Sequence, residues 1–266
     1  MNVPSRGAPP PNRPPKAKVV GRRFGPWVIT ALVMVPLVAL AAVYLLFFNN
    51  DSPDKFTLDT PAGNTTPTST GASTGASTGA STGASGALEG TWTMGDGSEA
   101  GYRVREKLAS LPATSDAVGR TTTVTGTVTV TRTGSQLVAD AVNVEVDVST
   151  LASNESRRDN RIKTSGLETN QFPKATFTST APVTLPAGTE AGQAVKAEVT
   201  GNLTLHGVTK PVTIPLDVQL NGDQGQVVGS LKFPFSDFGM TPPSVGGFVT
   251  VESDATLEFK LLLAPG

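Results

Sequence analysis

The stretch Gly201–Leu220, GNLTLHGVTKPVTIPLDVQL, decides the fold. Leu203 and Leu205 alternate with Asn202, Thr204 and His206; beyond Gly207-Val208-Thr209-Lys210-Pro211, the residues Val212, Ile214, Leu216, Val218 and Leu220 alternate with mostly polar neighbours. Side chains of a strand point to opposite faces with a period of two, so each run has one apolar and one wet face. Two such runs joined by a short loop containing Gly predict a hairpin. A hairpin is marginal in water by itself, so its apolar face has to be covered by further strands.

The sequence on both sides supplies them. Tyr102, Val104 and Leu108 alternate with Arg103, Arg105 and Lys107; Val124, Val128 and Val130 with a series of Thr; Val142, Val144, Val146 and Val148 with Asn143, Glu145 and Asp147. Val195 and Val199 lead into the hairpin, Val227, Leu231, Phe233 and Phe235 follow it, and Val249 to Leu263 closes the series. Val and Thr favour strands, and Gly126 within its run suggests a bulge. Many short alternating strands separated by Gly and Pro predict a sandwich or a barrel. One segment breaks the pattern: Ser153–Ser165, SNESRRDNRIKTS, is strongly charged and is predicted as a short helix capped by Ser153, with Ile162 and Leu167 as its contacts. Glu106 falls on the apolar parity of its strand, where a carboxylate requires a partner or a place at the rim.

The N-terminal third is different. Six basic residues, Arg6, Arg13, Lys16, Lys18, Arg22 and Arg23, precede any acid, leaving fifteen basic against 22 acidic residues in the remainder. Residues 1–26 are Pro-rich and basic and are expected to be a disordered cytoplasmic tail. Trp27–Phe48 runs for 22 residues without a charge, long enough to span a bilayer as a helix. A cleaved signal peptide ending near Ala39-Leu40-Ala41 is the other reading, but the apolar run continues past that site. The basic tail puts the N-terminus inside and all that follows outside. Residues 49–87, with a Gly-Ala-Ser-Thr repeat from Gly71 to Ser85, are expected to be a disordered tether reaching roughly 30–40 Å. The folded domain is expected over residues 88–266.

Several chemistries are excluded. The chain has no Cys, hence no disulfide, thiolate metal site or Cys nucleophile, and His206 is its one histidine. No Gly-x-Ser-x-Gly elbow accompanies that histidine, and no Gly-x-x-x-x-Gly-Lys loop is present. His206 reads as a turn residue bonded to the hairpin backbone, with a hydrolase built on it as the weaker alternative. No catalytic residue, metal, cofactor or nucleic-acid partner is expected.

Leu203-Thr204-Leu205-His206-Gly207-Val208-Thr209-Lys210-Pro211-Val212 resembles the central hairpin signature of the YceI-like family, extracytoplasmic lipocalin-like barrels that hold isoprenoid or other amphiphilic lipids. Phe172-Pro173-Lys174-Ala175-Thr176-Phe177 and Phe235-Ser236-Asp237-Phe238-Gly239-Met240 resemble two further family segments, in family order. The resemblance implies an all-β antiparallel barrel with one short helix over about residues 88–264. It also implies a non-enzymatic lipid binder, which the segments before it would tether to the membrane, and it is compatible with a homodimer. Under this reading the lumen is lined by Val128, Val144, Val146, Phe177, Leu203, Leu205, Ile214, Leu216, Leu231, Phe233, Phe235, Phe238, Leu257 and Phe259. The aromatic members either line the lumen or plug one end. Arg157, Arg158 and Arg161 on the helix are candidates for a lipid headgroup, or form an ordinary solvated face. The competing class is a filled-core β-sandwich or barrel that binds a cell-surface protein or glycan.

Overall fold

The computed structural model describes residues 52–59, 88–108, 114–187, 189, 192–245 and 249–266. The basic tail, the apolar run and the Gly-Ala-Ser-Thr repeat lie outside them.

Eight antiparallel strands close on themselves. β1 (Gly90–Met94 and, beyond a kink, Glu99–Leu108) pairs with β2 (Thr114–Thr121 and Val124–Thr133). β2 pairs with β3 (Gln136–Asp147, then Ala152–Ser153), and β3 with β4 (Lys174–Ser179, then Val183–Thr184). β5 (Val195–Leu205), β6 (Val208–Asn221), β7 (Gln224–Pro234) and β8 (Val249–Pro265) follow in order. β8 returns to β1 along both of its segments, which closes the barrel. Closure leaves only short stretches of strand unpaired on one side, so no whole edge strand is exposed.

The central hairpin is tighter than its sequence suggests. Leu205 already faces Val208, so the turn is His206-Gly207 alone, with φ +52° and +72°. Two consecutive residues at positive φ make the mirror-image turn whose twist suits a hairpin. Val208 to Pro211 therefore belong to β6 rather than to a loop. β6 tolerates Pro211 and Pro215 because residues 208–215 pair with β5 only; pairing with β7 starts at Leu216. Below that point β6 and β7 are not hydrogen-bonded to each other, and a short 3₁₀ turn, Phe235–Phe238, packs at this end. The expected bulge in β2 is real but displaced: the register slips between Thr129 and Val130, with Asp140 of β3 as the extra residue. Gly126 pairs in register with Val144 and serves instead to admit Met94, whose sulfur would lie 2.8 Å from an added Cβ.

The predicted helix is present but shorter. α1 spans Ser156–Arg161 and runs into a wider turn, Ile162–Gly166. Its cap is Glu155, whose carboxylate accepts from the Arg157 N–H, rather than Ser153. Ser153 bonds into the same segment, donating its backbone N–H and hydroxyl to Asp159 and accepting from the Glu155 N–H. Leu167 packs on the barrel core.

The main core cluster lies inside the barrel and includes Trp92, Val104, Ala117, Phe177, Leu203, Ile214, Phe233 and Phe238, with Ala100, Val124 and Leu261 forming a smaller second one. Residues 52–59, within the stretch read as tether, lie extended against the outer wall. Among the described residues, no helix is long and apolar enough to cross a membrane.

Candidate ligand cavity

Alternation along the strands sorts side chains into the interior and the outer wall, and the interior is not filled. A cavity of about 140 Å³ remains inside the barrel. That is close to the roughly 150 Å³ of an apolar cavity that accepts benzene, and below the roughly 300–1,000 Å³ usual for small-molecule sites. Thr176 supplies the single non-apolar lining residue; the rest are Val, Leu, Ile, Ala, Met, Phe and Trp. The Trp92 indole N–H is satisfied by the Leu88 carbonyl at 3.0 Å and asks nothing of the cavity. Apolar cavities of this kind stay dry and accept apolar guests.

Of the lumen candidates, Val128, Val144, Val146, Phe177, Leu203, Ile214, Leu216, Leu257 and Phe259 line the cavity. Leu205, Phe233 and Phe238 are buried elsewhere in the core, and Leu231 and Phe235 pack against it without reaching the cavity. These five gather where β5 and β7 end, at the helix end of the barrel. There Phe233 and Phe238 meet edge to face at 5.1 Å. The aromatic residues thus divide: Phe177 and Phe259 are wall, Phe233 and Phe238 are plug. The lumen candidates read from the sequence did not include Trp92, Leu185 and Leu220, which line the cavity toward the opposite end, where β6 turns into β7. Leu185 arrives from the Gly- and Pro-rich loop after β4, anchored by its N–H on the Leu137 carbonyl at 2.8 Å. Its place is invisible in a pattern of periodicities because it belongs to no long strand.

Three glycines shape the walls. An added Cβ at Gly201 or Gly229 would lie 2.4 Å from the ring of Phe177 or Phe259, and one at Gly119 would lie 2.4 Å from the ring of Tyr102. Each ring lies flat over a neighbouring strand because that strand has no side chain there, the device known from cross-strand aromatic–glycine pairs.

The helix end carries the polar groups. Glu106, inward by parity, is met by Arg158 of α1, with Oε1–Nε and Oε2–Nη2 both at 3.2 Å. The Arg158 guanidinium also donates to Ser153 Oγ at 3.2 Å and Asn154 Oδ1 at 2.9 Å. Arg161 donates to the Ser244 carbonyl at 2.8 Å. Arg157 is exposed. The three headgroup candidates are therefore in different situations: Arg158 is committed to the carboxylate that the sequence left without a partner, Arg161 is tied to a loop, and Arg157 faces solvent. Tyr102 stands beside this pair with its hydroxyl buried and unpartnered among the described residues. Burial pushes that hydroxyl above the usual phenol range; Arg158 opposes the shift, and Asp159 and Glu106 reinforce it.

His206 is a structural tie. Its Nε2 meets Glu168 Oε2 at 2.7 Å and its Nδ1 the Phe238 carbonyl at 3.1 Å, with Phe172 packed edge to face at 4.7 Å. The ring bonds neighbouring loops rather than its own hairpin, and neither partner is a hydroxyl. It holds the Phe235–Phe238 turn beside the end of β5. No cluster of three or more His, Asp or Glu suited to a metal occurs among the described residues.

A closed eight-stranded antiparallel barrel with an apolar interior is the lipocalin-like architecture. The YceI-like domain matches residues 92–263, and the chain belongs to that family. It is 34% identical over 123 residues to a UPF0312 protein of Vibrio parahaemolyticus, covering 43% of this chain and 61% of the relative. It is 40% identical over 110 residues to protein YceI of Salmonella arizonae, covering 39% and 53%. The chain thus spans about half to three fifths of the length of the curated relatives it matches. Among solved structures, a polyisoprenoid binding domain from Saccharophagus degradans, implicated in plant cell wall breakdown, superposes with a TM-score of 0.48 at 17% identity, covering 66% of this chain and 98% of that one. BcnA of Burkholderia cenocepacia gives 0.45 at 21% identity, covering 61% and 95%.

Proposed function

We propose that this chain is a membrane-anchored, extracytoplasmic, non-enzymatic carrier that takes the apolar tail of an isoprenoid or similar amphiphilic lipid into its barrel. The observation that carries this reading is the apolar interior cavity. A tail segment of about six carbons matches its room, and at about 0.8 kcal/mol per buried methylene that segment contributes roughly 5 kcal/mol before the costs of association. No directional polar contact is required for such a guest, which accords with a wall that has one hydroxyl. Trp27–Phe48 serves as the anchor in this reading, and the basic tail sets its orientation. Longer lipids leave their remaining length and their headgroup outside the cavity.

The test is native mass spectrometry of the full chain released from gentle detergent, followed by organic extraction. The expected result is a discrete lipid mass that leaves on denaturation, or uptake of an added polyprenyl phosphate by a chain that arrives empty. An empty chain that refuses polyprenyl phosphate and fatty acid alike defeats the carrier reading.

A further inference from the structure

Glu258 lies between Leu257 and Phe259, both lining the cavity, so alternation puts it on the outer wall; yet it is only 2% exposed. A carboxylate in that state requires charged partners, and it has two. Arg103 reaches it through Nε at 3.1 Å and Nη2 at 3.3 Å, and Arg120 through Nη2 at 3.1 Å. Arg103 also pairs with Asp116 at 3.2 Å. The same two guanidiniums receive an extended peptide: Arg103 Nη2 donates to the Pro53 carbonyl at 2.7 Å and Arg120 Nη2 to that of Asp54. The Phe56 ring covers Arg120, 3.8 Å from its Cζ. At the far end of the peptide, Asp59 pairs with Lys260 at 2.6 Å and its N–H donates to Gln226 at 3.0 Å. The segment crosses from β2 over β1 and β8 to β7, and it forms one lip of an outer cleft of about 600 Å³.

We propose that Ser52–Asp59 is a docking strap, and that the Arg103–Arg120–Glu258 cluster on the outer wall is its receptor site in the same chain. Its composition separates it from the repeat that follows: Phe56 is the sole aromatic residue, and Leu58 the sole leucine, between residues 49 and 87. Main-chain carbonyls on arginines, one aromatic on a guanidinium and one terminal carboxylate on Lys260 make a recognition pattern of their own. Resting on the reading of Trp27–Phe48 as the anchor, the strap gives the barrel two leash lengths. Docked, three residues (49–51) separate Phe48 from the strap, about 10 Å when extended. Released, residues 49–87 all contribute, reaching roughly 30–40 Å.

The absence of Cys makes a clean test. Spin labels at Lys55→Cys and Lys196→Cys, whose parent residues line the same outer cleft, report strap position by pulsed electron resonance in the full chain in lipid nanodiscs. Strap-side changes are used because removing either arginine would strip the buried Glu258 of one of its two partners and threaten the fold. The expected result is one short, narrow distance that becomes broad in Phe56→Ala/Asp59→Lys. A broad distribution in the unaltered strap overturns the docking. A short distance that appears only between labels on different molecules overturns docking in the same chain. Liposome flotation of the same protein reads the anchor separately: a short distance in a chain that does not float overturns the leash while docking stands, and lipid uptake bears on neither.

Discussion

Gly229→Ala is the sharpest probe of the cavity wall. Gly229 faces Phe259 across the β7–β8 ladder and Leu216 across β6. A Cβ there would sit 2.4 Å from Phe259 Cζ and 2.9 Å from both Phe259 Cε2 and Leu216 Cδ2, all side-chain atoms. Carbon atoms settle at about 3.5–4.0 Å, so the ring has to move by more than about 1 Å, and the open direction is the cavity it lines. Overpacking a filled core costs about 1–3 kcal/mol. Here the ring has space to enter, and Gly→Ala also restricts the unfolded chain by about 0.4–1 kcal/mol in the opposite sense. The net cost is about 1 kcal/mol or less, a fall in Tm of roughly 2–4 °C for a domain of this size. The displaced ring takes the place of two or three methylenes of guest, about 2 kcal/mol, or roughly 30-fold in affinity. Titration with a fluorescent polyprenyl phosphate and a thermal melt on the same sample read both quantities. Unchanged affinity with an unchanged melt would show that Phe259 is not a wall of the binding space. A fall of more than about 10 °C would show that the barrel itself yields, and the affinity loss would then say nothing about the cavity.

Three further outcomes are expected. Because burial raises the Tyr102 pKa in the folded state, its contribution is intact below the unfolded value of about 10 and is lost as pH rises beyond it, by up to about 1.4 kcal/mol per unit; urea titrations between pH 8 and 11.5 should lose this alkaline decline in Tyr102→Phe. Glu106 and Arg158 are each about one-fifth exposed, at 19% and 20% for their side chains, so a double-mutant cycle to Ala should give a coupling of about 1–2 kcal/mol, between surface and buried pairs; a coupling near zero would mean that solvent already screens the pair. At His206, φ is +52°, so Ala suffers both the lost hydrogen bonds and a left-handed backbone, while Gly suffers only the first; His206→Ala should be less stable than His206→Gly by about 1 kcal/mol in chemical denaturation, and equal values would remove backbone strain from the account.

The strands were legible because alternation is a local signal, and the hairpin, the charged helix and the family segments all stand in the text of the chain. What was not legible depends on closure. Which Phe becomes wall and which becomes plug is decided by how far along the barrel axis each strand carries it, and neighbouring strands are staggered. Phe233 and Phe259 have the same parity, yet only Phe259 reaches the cavity. Glu106 illustrates the boundary well: its wrong parity was visible, while its partner, Arg158, lies 52 residues away on an element whose docking no periodicity encodes. The strap is hidden for a different reason. Eight residues without a repeating face look like linker, and only the three-dimensional meeting of Arg103, Arg120 and Glu258 gives them something to hold.

The unpaired run between β6 and β7 has a mechanical consequence. Over most of the helix end the cylinder is stitched by backbone ladders, so dilating it there means unzipping a sheet. Along residues 208–215 of β6 and 230–234 of β7 there is no stitching to undo between the two strands. The slit is held by inserted side chains, Phe238 above all, and by the His206 bond to the Phe238 carbonyl. At that end the Phe235–Phe238 turn packs where β6 and β7 part. Swinging the Phe235–Phe238 turn aside would widen the bore without loss of a single ladder bond between β6 and β7.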